Sequence, residues 1–211
     1  MSVTILITGF GPFPGAPFNP TGVLAEELVR RRHPAFINVR RIAHVFQVSY
    51  DAVDRELPGL LASERPDALI MFGLATRSNH VRIETRARNT VARAVPDVAG
   101  NIPFWNSIRP GGPTALPLRT PAQRLLMAVR ATGVPVAISH DAGDYLCNYL
   151  CWRAAEAGAS GSPRLMSFVH VPQVARSAIR RLGRGRLSLD ALAAVSEAIV
   201  RAAIPGARSL R

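Results

Sequence analysis

The sequence predicts a single α/β domain: an open, mostly parallel twisted sheet with helices on both faces. Short β-branched runs alternate with amphipathic segments along the chain, which is the rhythm of strands and helices packed in layers. The run at 68–72, Ala-Leu-Ile-Met-Phe, is continuously apolar, as strands covered on both faces are. The length, 211 residues, lies near the upper end of what one compact core holds, so 1–211 is read as one domain.

Taken in order, residues 3–8 form the first expected strand and 20–32 the first helix, with Asn19 placed to cap it. A strand is expected at 36–46, a helix at 49–62, and the buried strand at 68–72, which Gly73 ends. From His80 to Asn89 the residues Val81, Ile83, Thr85 and Ala87 alternate with Arg82, Glu84, Arg86 and Arg88. That is a strand with one polar face, on which Glu84 points away from the apolar side. Residues 97–120, with Pro110-Gly111-Gly112-Pro113, read as a long irregular excursion of a length that is usually functional or disordered; whether it is a lid stays open. Beyond it come a helix at 121–131, a buried strand at 134–139 and a helix at 144–157, capped by Asp144. The last strand is at 165–171, and an amphipathic helix at 188–204 has Ser188 as its cap and Asp190 in its first turn.

Composition narrows the function classes. Hydrophobic residues at 48% and charged residues at 19% describe a globular chain rather than a disordered one, and no apolar run approaches the ~20 residues of a membrane span. Residues 1–7 lack a basic region and a small-residue cleavage site, so a cytoplasmic location is expected. Two cysteines four residues apart, Cys147 and Cys151, share one helix face and suit free thiols in a reducing compartment. The net charge of +12 would favour phosphate-rich partners. All 26 basic residues are arginine, however, and they are scattered except at 30–32, 40–41 and 180–186. No aromatic-basic interleaving accompanies them, so the charge is read as solvated surface rather than a nucleic-acid site.

Cys147 falls in the first turn of its expected helix, where unpaired backbone N–H groups favour an anion. They could stabilise both a thiolate and the oxyanion of a tetrahedral intermediate. Cys151, one turn later, reads as core filler. A base must reach the sulfur. Of five histidines, His170 is best placed, near the end of the strand after the cysteine helix, whereas His33 and His44 look peripheral. In a parallel sheet such groups meet at the C-terminal ends of neighbouring strands, and Glu84, Cys147 and His170 would form orienter, nucleophile and base. The same residues also read as an ordinary apolar-helix cysteine and a structural histidine.

The residues resemble a known family across nearly the whole chain. Gly9-Phe10-Gly11-Pro12-Phe13 followed by Asn19-Pro20 is similar to the N-terminal signature of pyroglutamyl peptidase I. Gly73-Leu74-Ala75, Glu84 with Ala87 and Asn89, and Gly100-Asn101 with Pro103 match further family segments. Gly133-Val134-Pro135, Ser139, Ala142-Gly143 and Leu146-Cys147-Asn148 resemble its nucleophile strand, turn and helix, and Phe168-Val169-His170-Val171-Pro172 completes the set. The resemblance implies a cysteine peptidase that removes N-terminal pyroglutamyl residues from peptides with Cys147, His170 and Glu84. No metal or cofactor is implied, and a homo-oligomer is. It implies that Phe10, Phe13, Leu74, Tyr145 and Leu146 contact the substrate and that Arg93 lies near the oxyanion; ordinary core packing is the other reading of Phe10, Phe13, Tyr145 and Leu146.

Several positions depart from the family pattern. Thr85 stands where an arginine usually follows the glutamate, and Thr76-Arg77-Ser78 replaces Gly-Gly-Arg. Tyr145 replaces a phenylalanine, and Ser139-His140-Asp141 replaces Ser-Asn-Thr. Because these crowd around the pocket, a related cysteine amidohydrolase acting on another small N-acyl or lactam group stays open. The charge leaves open a catalytically silent basic binding protein.

Overall fold

The structure is a computed structural model that describes residues 2–174 and 187–209; the arginine-rich stretch 180–186 lies outside them. It is a single-domain α/β fold in which a six-stranded sheet separates two layers of helices. The strands are β1 (Val3–Phe10), β2 (Val39–Phe46), β3 (Ala68–Ala75), β4 (Val81–Glu84), β7 (Val136–Ser139) and β8 (Leu165–Pro172), in the spatial order β2-β1-β3-β8-β4-β7. A separate two-stranded ribbon pairs β5 (Arg86–Arg88) with β6 (Ala115–Pro117). The helices are α1 (Pro20–Arg30), α2 (Tyr50–Glu64), α3 (Ala122–Arg130), α4 (Leu146–Ala159) and α5 (Leu189–Ser209).

Strand alternation sorts the core into two halves. Ile5, Ile7, Ile70, Phe72, Ile83 and Val169 face one way and pack with Leu24, Val129 and Ile199 of α1, α3 and α5. Leu6, Leu69, Met71, Met166 and Phe168 face the other way, onto Val53 of α2 and Trp152 of α4. The second half holds the candidate site.

Sheet direction differs in one respect from the expectation of near-neighbour parallel strands. The strands β2, β1, β3 and β8 are mutually parallel, but β4 pairs antiparallel with β8 and parallel with β7. Thus β7 and β8 run in opposite senses with β4 between them. His170 and Cys147 meet because α4 returns across the sheet face, not because two adjacent parallel strands end side by side. The strand β7 is also an edge strand, half-buried rather than fully covered.

The expected strand over 80–89 breaks in two at Thr85. Its N–H donates to the Ser139 carbonyl at 2.9 Å, continuing the β7 pairing, while its own carbonyl accepts from Leu118 N–H at 2.8 Å beside the ribbon. The chain therefore changes partners at that residue. Gly73 does not end β3, which continues to Ala75 paired with β8. Helix α5 runs past 204 and through Pro205, because Ile204 and Ala207 are both buried and their packing offsets the ring's ~3 kcal/mol penalty.

Residues 97–120 are largely irregular, yet they are anchored. The buried Asp97 carboxylate accepts from the N–H groups of Tyr50, Ala99 and Asn101 at 2.8–3.0 Å. Asn89 exchanges two 2.8 Å hydrogen bonds with the Arg109 backbone. The strand β6 then closes the excursion against β5.

Candidate active site

The N-terminal motif is a helix-on-strand junction. A Cβ on Gly9 would lie 2.1 Å from the Thr21 carbonyl oxygen, so only glycine lets the first turn of α1 sit on β1. Asn19 caps that helix, its Oδ1 accepting from Thr21 N–H at 3.1 Å while Nδ2 donates to the Gly11 carbonyl at 3.0 Å. This fixes the 11–19 loop. Phe10 is buried 6.2 Å from Phe46, and Phe13 packs half-buried against the same core half.

The α4 helix begins differently. Asp144, the expected cap, does not serve: Tyr145 is the N-cap residue and makes no side-chain capping bond. The Asp144 carbonyl instead accepts from Ala92 N–H at 2.5 Å. The first amides of α4, those of Leu146, Cys147 and Asn148, are left without intrahelical acceptors and without a cap, a setting that favours negative charge. Cys147 is the second helical residue. The preceding turn uses Gly143 at φ +87°, a left-handed conformation suited to glycine.

Three elements bring the predicted trio together. His170 on β8 lies beside Gly73 of β3 and opposite Arg82 of β4, and Glu84 is opposite Phe168, diagonal to the histidine. His170 Nδ1 donates to Glu84 Oε1 at 2.7 Å, and the ring also hydrogen-bonds the Cys147 sulfur. Gly73 makes the room for that sulfur: a Cβ there would stand 2.8 Å from Cys147 Sγ and 2.5 Å from the edge of the Phe168 ring. The alternation reading of Glu84 holds in direction, away from Ile83. That face is nevertheless closed by α4, and Glu84 is 0% exposed.

Electrostatics link the three groups. Burial alone would raise the Glu84 carboxyl, but the hydrogen bond and charge of His170, the Ser139 hydroxyl and the charge of Arg82 outweigh it and hold the carboxyl below its usual range. Burial alone would lower the His170 imidazole. The Cys147 sulfur, by charge and hydrogen bond, and Glu84 reverse that and raise it to about 9. Cys151 is buried and free, its thiol pushed well up by burial, as its reading as core filler expects.

Other predicted residues separate into groups. Leu146 is 1% exposed and packs in the core. Tyr145 is half-buried, with its hydroxyl donating to the Pro96 carbonyl at 3.0 Å. Leu74 follows Gly73 and so falls on the opposite face of β3 from the sulfur. Arg93 is exposed and makes no ion pair or hydrogen bond among the described residues. His33 caps a short turn and His44 pairs with Glu56, both away from the trio.

Sequence reasoning assigned no role to two residues that hold the site. Asn148, fully buried, accepts from Arg88 N–H and donates to the carbonyls of Arg88 and Thr90 at 2.8–2.9 Å, locking α4 to the chain after β5. Its place directly after the cysteine was the available signal. Arg82 bonds Glu84, and its two-residue spacing from Glu84 on a strand was the corresponding one. Among the described residues, no group of three or more His, Cys, Asp or Glu side chains is placed to hold a metal ion, and no helix is long and apolar enough to cross a membrane.

The sequence profile described as pyroglutamyl peptidase matches residues 3–207. A pyrrolidone-carboxylate peptidase of Clavibacter michiganensis subsp. michiganensis is 32% identical over 210 residues, covering 99% of this chain and 96% of that protein. The Pyrococcus furiosus pyrrolidone-carboxylate peptidase is 31% identical over 184 residues, 87% of each. The solved pyrrolidone carboxyl peptidase from Thermococcus litoralis aligns with a TM-score of 0.87 at 27% identity, over 99% of this chain and 96% of that one. With residues 3–207 matched in sequence and nearly its entire length matched in fold, the chain belongs to the pyroglutamyl peptidase family.

Proposed function

We propose that this chain hydrolyses the amide bond after an N-terminal pyroglutamyl residue, working as one catalytic domain through a thioester on Cys147. The observation that carries the reading is the Glu84–His170–Cys147 row at the uncapped start of α4. Glu84 orients the imidazole through Nδ1, and Cys147 sits in the first turn of α4, where the free amides favour negative charge on the sulfur.

The thiolate attacks the pyroglutamyl carbonyl carbon, and the developing oxyanion is received by the first-turn amides of α4, with Arg93 adding a cation at the mouth. The tetrahedral intermediate collapses as His170 gives its proton to the departing amine, and the C–N bond breaks. Neutral His170 then takes a proton from water, whose oxygen attacks the thioester and regenerates Cys147. The lactam bears no charged amine, which suits the mostly apolar surroundings supplied by Phe10, Phe13 and Tyr145. A cytoplasmic setting fits two free thiols.

The test is turnover of a pyroglutamyl fluorogenic amide by wild type and by Cys147→Ala. Wild type is expected to release the fluorophore, and the variant to lose turnover while melting at the wild-type temperature. Cleavage of a different small acyl amide in place of the pyroglutamyl one would overturn the substrate, and full activity in Cys147→Ala would overturn the nucleophile.

A further inference from the structure

Arg82 stands directly across from His170 in the β4–β8 register. Like charges so placed repel. Arg82 turns along its own strand instead: Nε and Nη2 donate to Glu84 Oε1 at 3.1 and 2.8 Å, the same oxygen that accepts from His170 Nδ1. Nη2 also donates to the Asp141 carbonyl, in the loop between β7 and α4. The same loop is held by Arg86 Nε, which donates to the His140 carbonyl at 2.8 Å, and by Arg88, 3.1 Å from the Asp141 carboxylate. Of these arginines, Arg82 alone bonds both the loop and the trio.

We propose that Arg82 is a positioning residue of this site, holding Glu84 Oε1 toward His170 and tying the trio to the loop that delivers Cys147. The inference rests on the catalytic reading of that trio. With Cys147 ionised and His170 protonated, Arg82, Glu84, His170 and Cys147 form a row of alternating charge that sums to zero. Without Arg82 the row carries one net negative charge in a site where Glu84 is 0% exposed, an arrangement that low dielectric penalises.

Arg82 also draws charge density on Glu84 away from the imidazole, so it restrains the proton affinity of His170. The charged or titratable groups facing His170 are Cys147 from α4 and Glu84 and Arg82 from β4. Strand β3 presents only Gly73, and β8 itself contributes the Phe168 ring at 5.0 Å. Cys151 lies one turn behind the nucleophile and stays neutral.

The test compares wild type, Arg82→Met and Arg82→Lys by NMR titration of the His170 ring, by kcat and KM for a pyroglutamyl amide, and by melting. Arg82→Met should raise the His170 midpoint by about half to one pH unit through loss of the neighbouring cation. It should lower kcat about tenfold with little change in KM, because orientation rather than binding is lost. Arg82→Lys should restore the midpoint but not kcat, since an ammonium keeps the charge without the planar fork. A folded Arg82→Met with an unmoved midpoint, or an Arg82→Lys with wild-type kcat, would overturn the proposal. If Arg82→Met fails to fold, the Lys variant decides it alone. Should wild type turn over no pyroglutamyl amide, the catalytic reading fails, whereas the NMR midpoints still report on Arg82.

Discussion

Replacing Gly73 by alanine adds one methyl group at the point where β3, β8 and α4 come closest. That Cβ would lie 2.5 and 2.7 Å from two carbons of the Phe168 ring and 2.8 Å from Cys147 Sγ. Carbon–carbon contacts settle at about 3.5–4.0 Å, so ring and sulfur must each move by roughly 1 Å. Phe168 is 0% exposed and cannot retreat into solvent. Overpacking of this kind costs about 1–3 kcal/mol, and each kcal/mol lowers Tm by about 2–4 °C for a chain of this size. The catalytic loss should be comparable in free energy, because a misplacement of about 1 Å costs about 10²-fold in rate. Steady-state kcat/KM on a pyroglutamyl amide and a thermal melt measure both effects. Gly59→Ala is the control: Gly59 lies inside α2 with nothing within 4 Å of an added Cβ, and the change should stabilise by about 0.4–1 kcal/mol without altering kcat/KM. Wild-type kcat/KM and Tm in Gly73→Ala would refute the idea that this glycine makes space for the Cys147 sulfur.

The other predictions concern the groups around that space. The alkaline limb of kcat/KM should fall near pH 9, where the imidazolium loses the proton needed by the departing amine. Glu84→Gln removes a hydrogen-bonded anion that raises the His170 proton affinity, so the limb should move to lower pH; an unmoved limb would count against that coupling. Asn148→Ala leaves one backbone N–H and two carbonyls around Arg88 and Thr90 without their partner, and should cost about 2–4 kcal/mol in urea unfolding, with loss of activity as the β5–α4 junction loosens.

Much of the site was legible from local pattern. The alternation Val81, Arg82, Ile83, Glu84 correctly placed Glu84 opposite the apolar residues, because side-chain direction in a strand depends only on position parity. The cysteine's place in the first turn of its helix followed from the change of hydrophobic period after Ser139, although the helix begins two residues later than expected and without the Asp144 cap. The Asp144 carbonyl is engaged with Ala92, 52 positions earlier, and no local signal reports such a bond. For the same reason Thr85 looked like mid-strand: the exchange of partners there depends on Ser139 and Leu118, both remote in sequence.

The sequence by itself determined the order and type of the six main-sheet strands and the five helices and the faces of the strands, and it pointed to three residue types that could generate and use a thiolate. Tertiary structure alone decided that β4 and β7 run against the other four strands, that α4 closes over Glu84 until it is fully buried, and that Arg82 turns to Glu84 rather than to solvent. Periodicity records which way a side chain points. What covers that side chain is set by segments distant in the chain, through packing and the pairing of buried charge.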